Sequence, residues 1–247
     1  MTVLELYKYI DNQMPLTLSP DWDNDGLMCC PEPGRVVNSV LCVLDVTGEA
    51  VDYAVENKFD VIVSHHPLIF KPVNAILSPK LVKLVKSNIA VMSFHARFDI
   101  VNGGINDFIA ALLNIGNIKT FAEGAGRIGT LEKPIPFDSF GMHLKSILGA
   151  DRINAVYARE TVHKIAVVTG SGGEFIAEAI SCGSDTFISG ECGYHRLLDA
   201  AEAGINAFEA GHFFTERFAT GQIRDIIVSS EEDIRAEIFE QNVILLF

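Results

Sequence analysis

Two adjacent histidines follow a short apolar run in the first half of the chain. Residues 61–63 are β-branched and apolar, which predicts a fully buried strand, and Pro67 cannot continue a sheet ladder. In open α/β sheets, ligands bind at the carboxyl ends of the strands. Adjacent side chains diverge at such an end, so His65 and His66 could face two different metal ions.

Two further histidines each precede a carboxylate by four residues. His212 and Glu216 fall at a predicted helix start, where residues four apart share one face and can bind one ion together. His95 and Asp99 have the same spacing but are predicted to straddle a strand end and a loop. Each residue also has an ordinary alternative, with His212 as a helix cap and Asp99 as a solvated loop acid.

The combined ligand types favour a pair of transition-metal ions. Mixed imidazole and carboxylate ligands suit zinc, manganese, iron or nickel better than calcium. Five or six ligands are too many for one tetrahedral ion and suit two divalent ions about 3.5–4 Å apart, bridged by a carboxylate and by water. Such a pair lowers the pKa of bound water to about 7, so hydrolysis is the predicted chemistry. The predicted metal ligands are His65, His66, Asp99, His212 and Glu216, with His95 in reserve.

The elements that must position these residues alternate between strands and helices from residue 39 onward. Strands are predicted over residues 39–46, 60–64 and 89–94, with helices between them. This alternation predicts an α/β fold with mixed, largely parallel sheets and helices on their faces.

The second half of the chain repeats the first. Residues 59–64 align with residues 184–189, which matches Asp60 with Asp185. A shorter offset then aligns His95 with His212. We therefore expect two similar, intertwined α/β repeats.

The expected repeat boundary lies in a segment rich in glycine and proline, residues 115–136. The first repeat is predicted over residues 1–125 and the second over residues 126–247. A final strand within residues 240–247 is expected to join the first repeat.

Composition excludes several functions. The formal charge of −13 argues against a nucleic-acid partner, and no apolar stretch approaches the roughly 20 residues that span a membrane.

Thr2 and Glu5 form a capping-box pattern typical of a helix rather than of a signal peptide. Five cysteines with no C-x-x-C spacing suit a reducing compartment, and Cys29 and Cys30 lack a matching partner pair for zinc. We expect a cytoplasmic protein.

Other motifs give weaker signals. Residues 169–173 follow a strand and are rich in glycine, which permits either a phosphate site at a helix start or a tight turn without the third glycine of the dinucleotide motif. Arg127 lies between glycines and could face an anion or belong to a hairpin. His143, His163 and His195 have no partner at ligand spacing.

Five segments together resemble the NIF-three-like family, whose bacterial members include YbgI-like proteins and GTP cyclohydrolase I type 2 homologues. The resemblance spans nearly the whole chain and is carried by residues 22–27, 44–47, 64–70, 124–129 and 210–216. It implies two intertwined α/β repeats, a dinuclear metal site and a ring-shaped hexamer whose sites face an internal cavity. The metal ligands that it implies are His65, His66, Asp99, His212 and Glu216.

The chain departs from the family pattern in two places. The family usually has His-Thr-Asn-Leu-Asp where residues 95–99 read His-Ala-Arg-Phe-Asp, and we expect Arg97 and Phe98 at the rim of the site. Where the family commonly has Gly-Asp, this chain has Gly190 and Glu191. Both departures affect the expected substrate more than metal binding.

The functional hypothesis is a metal-dependent hydrolase in which a bridging hydroxide attacks a small substrate, with a purine nucleotide suggested by the family label. His95 is the candidate acid/base or supporting residue, and no organic cofactor is expected. The alternative is a non-catalytic metal-binding or regulatory oligomer.

Overall fold

The computed structural model describes residues 1–244, which form strands and helices in alternation. The strands are β1 (Gly26–Cys29), β2 (Ser39–Val43), β3 (Val61–Ser64), β4 (Ala90–Ser93), β5 (Gly116–Phe121), β6 (Gly126–Pro136), β7 (Asn154–Val156), β8 (Thr161–Ser171), β9 (Thr186–Glu191), β10 (Asn206–Glu209) and β11 (Arg235–Phe239). The helices are α1 (Val3–Gln13), α2 (Gly48–Glu56), α3 (Pro79–Lys86), α4 (Ala96–Ile100), α5 (Ile105–Leu112), α6 (Phe137–Leu148), α7 (Ile176–Ser181), α8 (Tyr194–Glu202), α9 (His212–Glu216) and α10 (Phe218–Val228). In the described part of the chain, no helix is both long and apolar enough to cross a membrane.

The chain divides into two compact units. The first unit contains Met1–Val101 and Phe218–Val243, and the second contains Asn102–Arg217. The repeats predicted over residues 1–125 and 126–247 refer to an internal duplication of the sequence, and their bounds stay a prediction. The units have different bounds because α10 and β11 return to the first sheet.

The sheet of the first unit has the strand order β1-β4-β3-β2-β11 among the described residues. Strands β11, β2, β3 and β4 run parallel, and β1 pairs with β4 in the antiparallel direction. The central three strands are buried along their whole length, as expected when helices cover a parallel sheet. Helix α2 begins where Thr47 accepts a hydrogen bond from the Ala50 N–H at 3.0 Å. Its apolar face then packs into the core beside Leu41 and Ile62.

The sheet of the second unit has the order β5-β6-β8-β9-β10-β7 in the described residues. Strands β8, β9 and β10 are parallel, whereas β5, β6 and β7 pair in the antiparallel direction. The predicted α/β fold with mixed, largely parallel sheets is confirmed. The glycine-rich segment at residues 115–136 forms the β5–β6 hairpin, which lies inside this unit.

An aspartate directly precedes β3 in the first sheet and β9 in the second. The Asp60 carboxylate accepts hydrogen bonds from the N–H groups of Asn38 (2.8 Å) and Ser39 (3.0 Å). The Asp185 carboxylate accepts them from His163 (3.1 Å) and Lys164 (2.7 Å). Each aspartate therefore ties its own strand to the backbone of the neighbouring strand, and the alignment of Asp60 with Asp185 reflects a shared structural role.

The C-terminal segment differs from the prediction. A strand was expected within residues 240–247, but residues 240–244 are not in a strand, and residues 245–247 lie outside the described part. The strand that joins the first sheet is β11, which pairs with β2 from Arg235 opposite Ser39 to Phe239 opposite Val43. The helix predicted to start at His212 ends at Glu216, and a second helix, α10, follows from Phe218.

Candidate metal centre

His65 and His66 lie directly after β3, at the carboxyl end of the first parallel sheet. Their backbone N–H groups donate to the carbonyls of Val43 (3.2 Å) and Leu44 (2.9 Å), so the chain stays aligned with its neighbour beyond the strand. The Ser64 hydroxyl contacts the His66 carbonyl at 2.7 Å. These contacts fix the backbone that carries the two imidazoles.

An oxygen acceptor lies against Nδ1 of each of these imidazoles. Nδ1 of His65 is 2.9 Å from the Phe94 carbonyl oxygen, and Nδ1 of His66 is 2.8 Å from Oδ1 of Asp45. A carbonyl or an ionised carboxylate only accepts, so in the neutral imidazole Nδ1 carries the hydrogen and Nε2 carries the lone pair. This arrangement is typical of metal-binding histidines.

His95 is held by the loop of residues 22–25, which directly precedes β1. Its Nδ1 lies 2.9 and 3.0 Å from the two carboxylate oxygens of Asp23, and its backbone N–H donates to Asp25 at 3.2 Å. Burial by itself raises the pKa of the Asp23 carboxyl, but the hydrogen bond and charge of His95 and the N–H groups of Ala96 and Asn24 outweigh it, and the pKa is lowered. Asp23 thus stays ionised and orients the ring.

The three imidazoles of the first unit form one cluster. Their ring centres are 5.1 Å apart for His65 and His66, 5.4 Å for His65 and His95, and 5.6 Å for His66 and His95. One ring nitrogen from each lies within 4.8 Å of the other two. Oδ1 of Asp99 is 3.8 Å from Nε2 of His65. The first unit therefore brings together four of the residues singled out from the sequence, including the histidine left in reserve.

Two details around Asp99 and Arg97 correct the sequence-based expectation. Asp99 lies in helix α4 rather than in a loop. Arg97, expected at the site rim, is fully buried. Its Nε lies 3.1 Å from Oδ1 of Asp25, and its guanidinium carbon is 4.4 Å from the centre of the Phe94 ring. It points into the interior because two carboxylates and an aromatic face compensate for its buried charge.

The second unit places His212 and Glu216 on one face of α9, as predicted. Nε2 of His212 is 2.8 Å from Oε2 of Glu216, and Nδ1 is 3.4 Å from Oε2 of Glu191. Glu216 is buried, whereas Glu191 is exposed.

The glycine-rich segment 169–173 is explained by the same pair. Gly170 has φ +61°, and a Cβ there would lie 2.0 Å from Oε1 of Glu216 and 3.3 Å from Nε2 of His212. Only glycine lets the backbone at the end of β8 pass this close to the carboxylate. Residues 169–171 are therefore the irregular end of β8, which packs against Glu216, and the predicted tight turn is not formed there.

The alignment of His95 with His212 is wrong by one residue. Ser64 aligns with Ser189. The Phe94 N–H donates to the Ser64 carbonyl, and the Ala210 N–H donates to the Ser189 carbonyl. Phe94 therefore corresponds to Ala210. Helix α4 then begins at Ala96 and α9 at His212. The sequence offset matched histidine with histidine, whereas the backbone matches His95 with Gly211.

The remaining residues singled out from the sequence either have a structural role or belong to no group of possible metal ligands. Arg127 pairs with Asp107, with Nε 2.6 Å from Oδ1, and donates to the Gly124 carbonyl at 2.6 Å, which ties the β5–β6 hairpin to α5. Within residues 1–244, no group of three ligand side chains within one unit includes the remaining histidines or the cysteine pair, namely His143, His163, His195, Cys29 and Cys30.

Asp23 and Asp45 support the imidazoles but were not singled out from the sequence as doing so. The only signal was that both lie in segments that carry the family resemblance, at residues 22–27 and 44–47.

The fold and these side chains define a two-repeat α/β protein with histidine and carboxylate groups able to bind metal. The chain belongs to the DUF34/NIF3 family (NGG1p interacting factor 3), whose family model matches residues 1–244. It is 31% identical over 239 residues to a protein of Clostridium acetobutylicum called GTP cyclohydrolase 1 type 2 homolog, covering 87% of this chain and 85% of the relative. A protein of the same description from Clostridium perfringens is 32% identical, covering 87% of each chain. The crystal structure of a Bacillus cereus protein related to NIF3 shares the fold, with a TM-score of 0.89 at 19% identity, covering 100% of this chain and 99% of that one.

Proposed function

We propose that this protein binds two divalent metal ions and hydrolyses a small substrate. The observation that carries the proposal is the histidine cluster at the end of the first parallel sheet, with each Nδ1 against an oxygen acceptor. Three imidazoles oriented in this way fit a transition-metal ion, because the lone pairs of Nε2 are then the ligand atoms.

The proposed ligand set combines imidazoles with carboxylates. It consists of His65, His66, Asp99, His212 and Glu216, as the family resemblance implies, and the i, i+4 contact of His212 with Glu216 supports joint binding by that pair. This ligand set suits zinc, manganese, iron or nickel. Bound as a pair, such ions supply Lewis acidity and an activated water near neutral pH.

The residues around these ligands have positioning roles. Asp45 orients the ring of His66, and Asp23 orients the ring of His95. Gly170 leaves the space in which the Glu216 carboxylate lies. His95 is proposed as a supporting or acid/base residue.

Two relatives are called GTP cyclohydrolase 1 type 2 homolog. These names support a purine nucleotide as the substrate to test first. A cytoplasmic homohexamer is part of the same proposal, and neither a nucleic acid nor a membrane is a proposed partner.

A second function, a non-catalytic metal-binding or regulatory oligomer, is favoured by one observation. The two segments that could have bound a substrate phosphate have other roles, since residues 169–173 pack against Glu216 and Arg127 is paired with Asp107.

Metal analysis of purified variants tests the proposal. We expect two ions per chain in the unmodified protein and a loss of at least one in His65→Ala and in Glu216→Ala, with unchanged far-UV circular dichroism. His143→Ala changes an exposed histidine on α6 and is the control. Unchanged stoichiometry in both variants would contradict the site.

Activity and assembly are measured on the same preparations. The metal-loaded protein is assayed on GTP and on a panel of nucleotides, phosphoesters and amides, and light scattering gives the oligomeric state. A fully loaded protein with no turnover on the panel favours the non-catalytic function.

A further inference from the structure

We infer that Trp22 and Phe70 recognise a planar aromatic ring of the substrate by stacking beside His95. Both side chains belong to the first unit. This inference rests on the proposed function, because it assigns the substrate of that site to compounds that carry such a ring. It gives the two residues a role in choosing the substrate.

Both aromatic rings contact the imidazole of His95 and are open to solvent. The ring centre of Trp22 is 6.5 Å from that of His95, and the ring centre of Phe70 is 6.3 Å from it. The two ring planes are inclined to the imidazole by 85° and 89°. Trp22 is nevertheless 65% exposed and Phe70 47% exposed. Each ring therefore contacts the imidazole and still offers much of its surface to a ligand.

The backbone beside each ring is held in place. The Asp23 side chain next to Trp22 is fully buried, and the Ile69 side chain next to Phe70 packs against the core of the first sheet. The Asn24 side-chain amide donates to the Ile69 carbonyl, which joins the two segments. The rings are thus positioned before a ligand arrives, and this lowers the entropic cost of binding.

The size of this aromatic surface fits a small planar ligand. An aromatic side chain buries about 150–250 Å² when it is covered, so Trp22 and Phe70 together supply at most about 500 Å². A stable protein interface buries about 800 Å² on each partner. A heteroaromatic ring has the dimensions of one aromatic side chain and stacks on such rings in offset or edge-to-face geometry. We therefore assign this surface to a ring of the substrate rather than to a partner protein.

Tryptophan fluorescence tests the inference directly, because Trp22 is the only tryptophan of the chain. The probes are guanosine monophosphate (GMP) and ribose 5-phosphate, which share the sugar phosphate, whereas only GMP carries a base. We expect GMP to quench the Trp22 emission with saturation and ribose 5-phosphate to leave it unchanged. Binding needs no turnover, so this measurement is independent of hydrolase activity.

Isothermal titration with GMP measures the affinity of variants that lack one ring. Trp22→Leu and Phe70→Leu keep an apolar side chain but remove the aromatic face, and each should lower the GMP affinity about fivefold or more. Trp22→Phe and Phe70→Tyr keep a ring and should keep most of the affinity. Tyr194→Leu is the matched control, because Tyr194 is 73% exposed and its ring centre is 5.4 Å from that of His195, in the second unit.

Several results would overturn the inference. These are GMP that leaves the Trp22 emission unchanged, ribose 5-phosphate that binds as tightly as GMP, and leucine variants with the GMP affinity of the unmodified protein. A leucine variant that alters the oligomeric state in light scattering but not the GMP affinity would assign its ring to a contact between copies of the chain. Loss of bound metal in a leucine variant would assign its ring to the support of His95.

The inference and the proposed function can fail separately. GMP binding that depends on the two rings, in a protein without turnover on the substrate panel, would support the inference and contradict the hydrolase. Turnover of a nucleotide with an unchanged KM in both leucine variants would support the hydrolase and contradict the inference.

Discussion

Arg97 was expected at the rim of the site but is fully buried. Its guanidinium donates to Asp11 on α1 and to the Met14 carbonyl at 3.1 Å, and it pairs with Asp25. Burial raises the pKa of the Asp25 carboxyl even though the Arg97 charge opposes this. Arg97 thus links α1, the loop of residues 22–25 and α4 behind the histidine cluster.

Replacing Arg97 should therefore destabilise the first unit. We expect Arg97→Met to lower the free energy of unfolding by about 3–5 kcal/mol, since it leaves a buried carboxylate without its partner. The double variant Arg97→Met/Asp25→Asn should recover at least half of the loss, because the unpaired charge is gone. Urea unfolding measures both, and a single variant as stable as the unmodified protein would contradict this account.

Gly170 should be essential for the position of the Glu216 carboxylate. Gly170→Ala adds a Cβ 2.0 Å from Oε1 of Glu216, so we expect the carboxylate to move and the metal affinity to fall about 10–100-fold. Gly204→Ala is the matched control, because Gly204 has a similar φ of +69° but no atom within 4 Å of the added Cβ. If isothermal titration gives the two variants equal metal affinity, the contact with Glu216 is unimportant.

The elements that carry the ligands could largely be predicted, because local signals define them. A β-branched run and a proline locate β3 and its end, and the Thr47 cap fixes the start of α2. The partners of the histidines could not be predicted, since Asp23 is 72 residues from His95. Chain spacing indicates a shared face within a helix but carries no information about contacts between distant segments.

One strand and one helix break were missed for identifiable reasons. The β5–β6 hairpin, by contrast, was one of the alternatives considered for Arg127, and Arg127 and Asp107 fasten it to α5. Strand β11 is half exposed and carries charged residues, so it lacks the apolar pattern that revealed the other parallel strands. The turn between α9 and α10 falls at Arg217 with no proline or glycine to mark it.

The ion pair between α5 and β6 should make the second unit sensitive to acid. Burial by itself raises the pKa of Asp107, but hydrogen bonds from Arg127 and from the Gly103 N–H outweigh it and lower the pKa. Because the folded pKa lies below the unfolded value of about 3.9, the stabilisation is complete above that pH and is lost as the pH falls through the folded pKa.

We therefore expect Asp107→Asn to lower the stability by about 3 kcal/mol at pH 7, as for a pair with one buried partner, and by much less at pH 3. Urea unfolding at the two pH values gives the difference. Asp138→Asn, at an exposed position of α6, is the control. A stability difference that does not change with pH would show that the charge of Asp107 is unimportant.

At the scale of the whole molecule, the first unit is discontinuous in sequence. Its sheet contains strands from residues 26–93 and a last strand from residues 235–239, whereas Asn102–Arg217 builds the second unit. The duplication was visible in the sequence through Asp60 and Asp185. The return of the chain was expected at the C terminus but was assigned to residues 240–247 instead of β11.

Removing β11 should loosen β2 in particular. In a chain that ends at residue 233, we expect amide hydrogen exchange in Ser39–Val43 to rise about tenfold or more, because β2 becomes an edge strand. Exchange in β8 should stay the same. A chain that ends at residue 241 keeps β11 and is the control, and equal exchange of β2 in the two truncated proteins, measured by mass spectrometry, would contradict the assigned pairing.

The late position of β11 also matters while the protein is being made. Ribosomes synthesise the chain from its amino terminus. Residues 102–217 therefore emerge, and can fold, before the strand that covers β2 has been synthesised. Until then the nascent chain exposes the apolar edge of residues 39–43, a surface on which chaperones act and on which neighbouring nascent chains can aggregate.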